Sequence, residues 1–472
     1  MSDLLGSKPL PEGGVGVGCV RLAPNRYRAL QCAALASLVA VLPSCAVNQE
    51  KEVATYRALL DQDAPAERLS APATSEPLTL QRALYLANQN DEQLSIRGES
   101  YLQSLISRAR AAAGFLPSFS ASGSHNLSVN GSESRNSTSA SVGGSIQIFN
   151  LRTIRNYEQA TAAAEVSRLD LLDLQQTVLL GVANNFYQVL RAEESVRVLE
   201  NSLKLRTEQV RDVQARTTLG IARPLDLAQA QADESSTRVA LLQAESNARQ
   251  ARTTLAFLLD LDYVDNPLAD ALTPPSDPRP VIEYEQDAVD NRLDLAAARQ
   301  SVEVASISVK GAYAQYYPSA NLNMSFLLYS TAGGGNPWSL TASLLQPIFN
   351  AGLTHQDVRD ALSGLRQAVM QQDRLARQIH EDVTLAYEDF ITSTTKLQEL
   401  VISVNAAQRA YDLAVGQYRV GNASNLDQLT AQDQLLSAQL QLANERFNQK
   451  VFYLNLLRVT GQFGLSTPAQ LQ

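Results

Sequence analysis

Asp226 and Asp427 stand 201 residues apart, and each follows a glycine, Gly220 or Gly421, by six residues. Paired carboxylates suit acid–base chemistry when a shared pocket drives their pKa values apart. Here each aspartate opens a separate helical pattern. There the helix dipole favours a negative charge by about 0.3–1 kcal/mol without any catalysis. The other chemistry-bearing residues are dispersed. His125, His355 and His380 have no zinc-ligand spacing with one another or with a cysteine. The sequence contains no Ser/His/Asp ordering, phosphate loop or metal cluster, so it predicts no enzyme, metal or small-molecule cofactor.

The cysteines carry a different signal. Cys19, Cys32 and Cys45 all lie in the first tenth of the 472-residue chain. Arg21, Arg26 and Arg28 precede an apolar run, Ala29 to Cys45, that ends in Leu42-Pro43-Ser44-Cys45. This end resembles a bacterial lipobox, in which the leader is cut before the cysteine and the thiol is acylated. It predicts a lipoprotein signal peptide over 1–44, a covalent lipid on Cys45 and a lipidated linker over 45–77. Ala46 stands where an aspartate would favour retention at the inner membrane, which suggests sorting outward. The alternatives are an ordinary secretory signal or a membrane anchor. Net charge is −9 at 45% apolar content, which excludes the basic footprint of a nucleic-acid partner. After Cys45 no apolar run reaches 18 residues, so a membrane crossing would require strands in a closed barrel.

The elements that position these residues are duplicated. "FLPSFSAS" (115–122) matches "YYPSANLN" (316–323), and "SIQIFNLRTI" (145–154) matches "LLQPIFNAGL" (344–353). "LGIARPLDLAQAQ" (219–231) matches "VGNASNLDQLTAQ" (420–432). Cap and breaker signals predict a helix near 78–113, strands near 118–149, and helices near 151–218 and 225–262. The second half predicts about 283–315, 319–349, 351–419 and 426–461. This gives repeats over 78–262 and 283–462, a linker over 263–282 and a tail over 463–472. Leu171, Leu174, Val178, Val182, Phe186 and Val189 form an apolar stripe along the first long helix, which is about 100 Å long at 1.5 Å per residue. The shorter helix carries Ala228, Ala230, Ala232, Ala240, Ala244, Ala248 and Ala251, small residues that let helices approach closely.

The strands alternate. Leu322, Met324, Phe326 and Leu328 face away from Asn321, Asn323 and Ser325. Trp338, Leu340, Ala342 and Leu344 face away from Ser339, Thr341 and Ser343. This dyad pattern suits a membrane barrel with lipid on one face and a lumen on the other. Four strands cannot close around a channel, and open edges are excluded from lipid, so several copies must share one barrel. Ordinary half-buried hairpins, or a fibrous coiled coil, are the competing readings.

Together the duplication, "LLQPIFNAG" and "YRVGNASNLDQLTAQDQLLSAQLQLANERF" (418–447) resemble the TolC-type outer-membrane efflux proteins, especially the lipoprotein exit ducts of tripartite pumps. The resemblance spans about 78–462 and implies a mainly α fold with membrane β structure. Three chains would each give four strands to a transmembrane β-barrel continuous with a long periplasmic α-helical barrel. It implies export of drugs or other toxic small molecules from the periplasm, with a periplasmic adaptor, an inner-membrane RND or ABC transporter and outer-membrane lipid as partners. Type I protein secretion, metal efflux and a non-channel coiled-coil envelope lipoprotein are the alternatives. Under the resemblance, Pro117, Pro318, Pro347, Asn350 and Gly352 mark the barrel-to-tunnel corners. Pro347 ends strand pairing, Asn350 caps the next helix and Gly352 relieves crowding. The glycine turns become the periplasmic gate. Tyr418 and Asp427 fall on family gate positions, and Asp226 falls on the related position of the first half. Thr430 and Ala423 replace the family's second aspartate and gate arginine, with Arg223 as the candidate substitute for the latter.

Overall fold

A computed structural model describes residues 48–62, 76–130, 133–275, 277–331, 337–465 and 467. The expected leader, Cys45, part of the 45–77 linker, the strand-loop tips and most of the C-terminal tail lie outside these residues. The chain divides into two units, 1–51 and 52–472. Helix α1 (Gln49–Leu60) begins at the end of the first, and all that follows concerns the second.

Repetition extends to element lengths. The first half runs α2 (Leu80–Asn90), α3 (Glu92–Ala113), β2 (Ser118–Asn130), β3 (Glu133–Asn150), α4 (Leu151–Thr218) and α5 (Pro224–Leu258). The second runs α6 (Val281–Asn291), α7 (Leu293–Ala314), β5 (Ser319–Ser330), β6 (Trp338–Leu345), α8 (Leu353–Arg419) and α9 (Asn425–Val459). Helices α2 and α6 both have 11 residues, α3 and α7 both 22, and α5 and α9 both 35. The long helices α4 and α8 have 68 and 67. Two-residue strands, β1 (Leu78–Thr79) and β4 (Leu268–Ala269), pair in parallel where each repeat's flank passes the other.

The first helix of each half is broken, which the sequence pattern did not predict. At Asp91 the backbone leaves the helix, and the carboxylate accepts from the Leu94 amide at 2.9 Å to start α3. At Arg292 the matching break is held by ion pairs to Asp294 (2.7 Å) and to Asp382 of α8 (3.0 Å). These breaks lie beside the main core. Leu179, Val182, Phe186 and Val189 of α4 meet Leu255 of α5, Ile379, Val383 and Phe390 of α8, and Leu454 and Leu456 of α9 there. The expected α4 stripe faces inward, with Leu171, Val182, Phe186 and Val189 fully buried. The alanine wall is narrower than expected. Only Ala230, Ala244 and Ala251 are buried, with Thr237 between them, a spacing of seven that suits a left-handed coil. Ala228, Ala232 and Ala240 are exposed, and Ala248 is half-buried.

The four long strands form one antiparallel sheet ordered β2-β3-β5-β6. Its register sorts the faces. Phe119–Gly144–Met324–Leu340 and Ala121–Val142–Phe326–Trp338 are successive cross-strand rows. Polar rows alternate with these on the opposite face, and in them Ser118–Ser145 (2.8 Å), Ser122–Ser141 (3.0 Å) and Ser124–Ser139 (2.8 Å) share hydrogen bonds. Among the described residues, the outer edges of β2 and β6 have no strand partner.

Pro117 and Pro318 each stand one residue before a strand, after α3 and α7 respectively. The other corner differs between halves. Asn150 caps α4, its side chain accepting from the Arg152 amide at 3.0 Å. Asn350 does not cap α8 in this way. Pro347 is interposed in the second half, β6 stops at Leu345, and α8 starts at Leu353 behind Gly352, the N-cap residue, with φ +83°. The Asn350 amide instead donates to the Thr354 hydroxyl.

Candidate functional site: the glycine turns

Both glycine turns follow from one local rule. A helix ends, a glycine takes positive φ (Gly220 +75°, Gly421 +83°), and amides beyond it bond back to the last turn. Ile221 N–H reaches Arg216 C=O at 2.9 Å, and Asn422 N–H reaches Gln417 C=O at 2.9 Å. The returning helix then starts with an aspartate at its third position.

Each aspartate is committed to its own turn. Asp427 Oδ2 accepts from the Ser424 amide (2.8 Å) and hydroxyl (2.7 Å), and the Asp427 amide donates to Ser424 Oγ (3.2 Å). This reciprocal cap holds the carboxyl below the usual range. Asp226 accepts from Arg223 through its amide (3.1 Å) and guanidinium (2.8 Å), which lowers its pKa likewise. Arg223 is thus joined to Asp226 and, among the described residues, forms no ion pair with the other turn. Burial raises the Tyr418 hydroxyl, opposed by Arg216 and reinforced by Asp212 and Asp226. The Arg216 guanidinium lies 4.9 Å from the Tyr418 ring centroid.

What joins the turns is a residue that sequence reasoning passed over. Asn425 is buried; its amide donates to the Asp226 carbonyl at 3.2 Å and accepts from Gln209 Nε2 of α4 at 3.1 Å. The signal was an asymmetry in the repeat: Pro224 opens α5, whereas Asn425 opens α9. Next to it runs a polar seam. Ser202, Arg206 and Gln209 of α4 and Gln428 and Gln432 of α9 are all buried. Each carries at least one buried polar atom with no hydrogen-bond partner among the described residues. A buried polar atom left without a partner costs about 1–3 kcal/mol. A cavity of about 260 Å³ opens at the seam, lined by Ser202, Gln432, Asn201, Gln408 and Gln439 among others.

Among the described residues no group of three or more His, Cys, Asp or Glu could hold a metal ion. His125 bonds Thr138 (2.8 Å) and His380 meets Glu285 (3.0 Å), far apart in the fold. No described helix is long and apolar enough to cross a membrane.

A two-faced sheet joined to duplicated long helices defines a channel-type architecture. The profile of the outer membrane efflux protein family matches residues 84–260 and 285–462, and the chain belongs to that family. It is an outer-membrane efflux component of the TolC type. It is similar to the outer membrane efflux protein BepC of Brucella suis biovar 1 (strain 1330), 25% identical over 439 residues, 89% of this chain and 90% of that protein. It is similar also to the outer membrane protein TolC of Escherichia coli (strain K12), 23% identical over 345 residues, 69% and 70% of the two chains. The crystal structure of the outer membrane protein VceC from Vibrio cholerae superposes with a TM-score of 0.73 at 18% identity, covering 81% of this chain and 96% of that one.

Proposed function

We propose that three copies of this chain form the exit duct of a tripartite pump, passing drugs or other toxic small molecules out of the periplasm. The observation that carries this reading is the sheet, apolar on one face, hydroxyl-rich on the other and open at both edges. Three such sheets joined edge to edge make a barrel with lipid outside and a polar lumen inside. The long helices continue it as a tunnel in the periplasm. The glycine turns form its gate and meet a periplasmic adaptor beneath which an inner-membrane RND or ABC transporter works. The duct itself performs no bond chemistry, and the pump supplies the energy.

Cys45 is proposed to carry the lipid. Helix α1 supports this. Its Tyr56 packs with Leu94 and Leu171, Arg57 bonds Ser95 (2.7 Å), and the Leu60 carbonyl accepts from Asn88 (3.3 Å). From Tyr56 to Leu60, helix α1 therefore runs antiparallel to α3. Purified protein in planar bilayers should open stable ionic pores, and a fatty-acid label should mark wild type but not Cys45→Ser. Absence of pores from correctly folded protein would refute the duct, and equal labelling of both chains would refute acylation at Cys45.

A further inference from the structure

A cavity of about 370 Å³ opens between α4, α5 and α9, set back along these helices from the glycine turns. Gln188, Arg191 and Ser195 of α4, Asn247 and Gln250 of α5 and Asn444 of α9 give it a hydrogen-bonding lining. Among the described residues no carboxylate lines it, and Arg191 is its single charged group. The acidic residues nearby are engaged elsewhere. Glu193 pairs with Arg252 (2.5 Å), Glu194 pairs with Arg197, and Glu445 accepts from the Ser393 hydroxyl (2.5 Å).

Arg191 is half-buried and held at one end. Its Nη1 donates to Asn448 Oδ1 at 3.1 Å, while Nε and Nη2 have no acceptor among the described residues. That Nε–Nη2 edge is one that a carboxylate or phosphate grips through two parallel hydrogen bonds. Further donors share the lining. Gln243 donates to Asn247 Oδ1 (2.9 Å), which leaves the Asn247 amide N–H groups without an acceptor among the described residues. The Gln188 and Asn444 side chains bond to no described residue. Amides serve either sign of charge, so the guanidinium sets the sign here.

The duplication supplies a comparison. Moved by 201 residues, Arg191, Ser195 and Ala244 become Thr392, Lys396 and Glu445, and these line a groove between α8 and α9. There Glu399 and Glu445 accompany Lys396, so the second repeat carries its own counter-charge. The first-repeat cavity has the cation without one. Water hydrates a guanidinium but brings no negative charge, whereas an oxyanion brings the charge and accepts from two N–H groups at once. We propose that this cavity binds a small oxyanion, the carboxylate of an organic acid or an inorganic phosphate, against Arg191 with the amides of Gln188, Asn247 and Asn444 beside it. Its volume lies in the range of small-molecule sites, enough for a ring-bearing acid as well as for phosphate. The assignment stands whether or not the chain is a duct.

The test titrates the detergent-solubilised full chain with benzoate, benzamide and inorganic phosphate by calorimetry at constant ionic strength. Benzamide has the shape of benzoate without its charge. Wild type is compared with Arg191→Gln and Asn247→Asp, each checked for folding by circular dichroism. Arg191→Gln should weaken anion binding about tenfold or more, the loss of a charge-assisted pair. Asn247→Asp keeps the arginine and supplies the missing carboxylate, so it should weaken binding to a similar degree. Phosphate binding that follows these variants identifies an inorganic oxyanion as a ligand, and benzoate binding without it identifies an organic acid. Benzamide bound as tightly as benzoate, anion binding unchanged in Arg191→Gln, or no saturable anion binding to folded wild type would each overturn the site. Were Arg191→Gln to misfold, unchanged binding in Asn247→Asp would overturn it instead.

Discussion

The two aspartates at the glycine turns combine a local role with a charge. Their carboxylate hydrogen bonds are spent on Arg223 and Ser424, so these side chains start helices rather than tie one repeat to the other. Those same bonds hold both carboxyls below the usual range, so both stay ionised in mildly acidic solution. A fixed negative charge near a narrow opening attracts cations. Asp226→Ala with Asp427→Ala should reduce cation preference, read as the reversal potential in a salt gradient. It should also lower the melting temperature, since each carboxylate accepts from the backbone amide of the residue that opens its helix. In the unsubstituted chain, because both pKa values are depressed, the preference contributed by these groups should survive acidification to about pH 4, near the ordinary aspartate value, and fade only below it. An unchanged reversal potential with a lower melting temperature would leave them as helix caps alone.

At the scale of elements, the breaks before α3 and α7 turn each repeat's flank against the core. Burial alone would raise the Asp294 carboxyl, but bonding to Arg292 outweighs it and holds the pKa low. A carboxyl depressed in the fold adds stability above its unfolded value and loses it as pH falls through the folded one. Wild type should thus lose melting temperature between about pH 5 and pH 3. In Arg292→Gln burial governs Asp294, its pKa rises above the unfolded value, and protonation then favours the fold. The difference in melting temperature between the two chains, followed by circular dichroism, should narrow on acidification; a constant gap would refute the assignment. These breaks also mark where sequence reading stopped. The inward stripe through Val182 and Phe186 was legible because burial imposes a helical period, the alternation through Met324 and Leu340 because the two faces of a strand meet different surroundings, and the 201-residue offset because the motifs themselves recur. Asp91 and Arg292 interrupt no apolar period, so nothing in the pattern announced them. Arg206, Gln209, Asn425 and Gln432 were hidden for a related reason. Polar residues on a long helix ordinarily face water, and only their placement between α4 and α9 reveals that they are buried. Asn350 misled because it aligns with Asn150, while the interposed Pro347 delays the helix behind it.

For the molecule as a whole, the decisive quantity is the unpaired edge. Strand β2 has 13 residues and β6 has 8, and each offers one side of its backbone to no strand of the described chain. In hydrocarbon every unsatisfied amide or carbonyl costs several kcal/mol, so a lone four-stranded sheet cannot lie in a bilayer. Water could satisfy these edges, but Phe119, Phe326, Trp338, Leu340 and Leu344 cover one face with exposed apolar surface. Lipid suits the face and forbids the edge. The conflict ends only when β6 of one copy pairs with β2 of the next and the ring closes. The same join would carry α8 of one copy toward the helices beside β2 of another, continuing the tunnel wall. Three copies, as in the proposed duct, should therefore give a detergent-solubilised particle with the mass of three chains plus its micelle by light scattering. The particle should resist dilution, because backbone pairing in a low-dielectric medium has no competing partner. A stable monomer in which hydrogen exchange protects both edge strands would contradict the shared barrel, since an edge that needs no neighbour cannot be the reason for one.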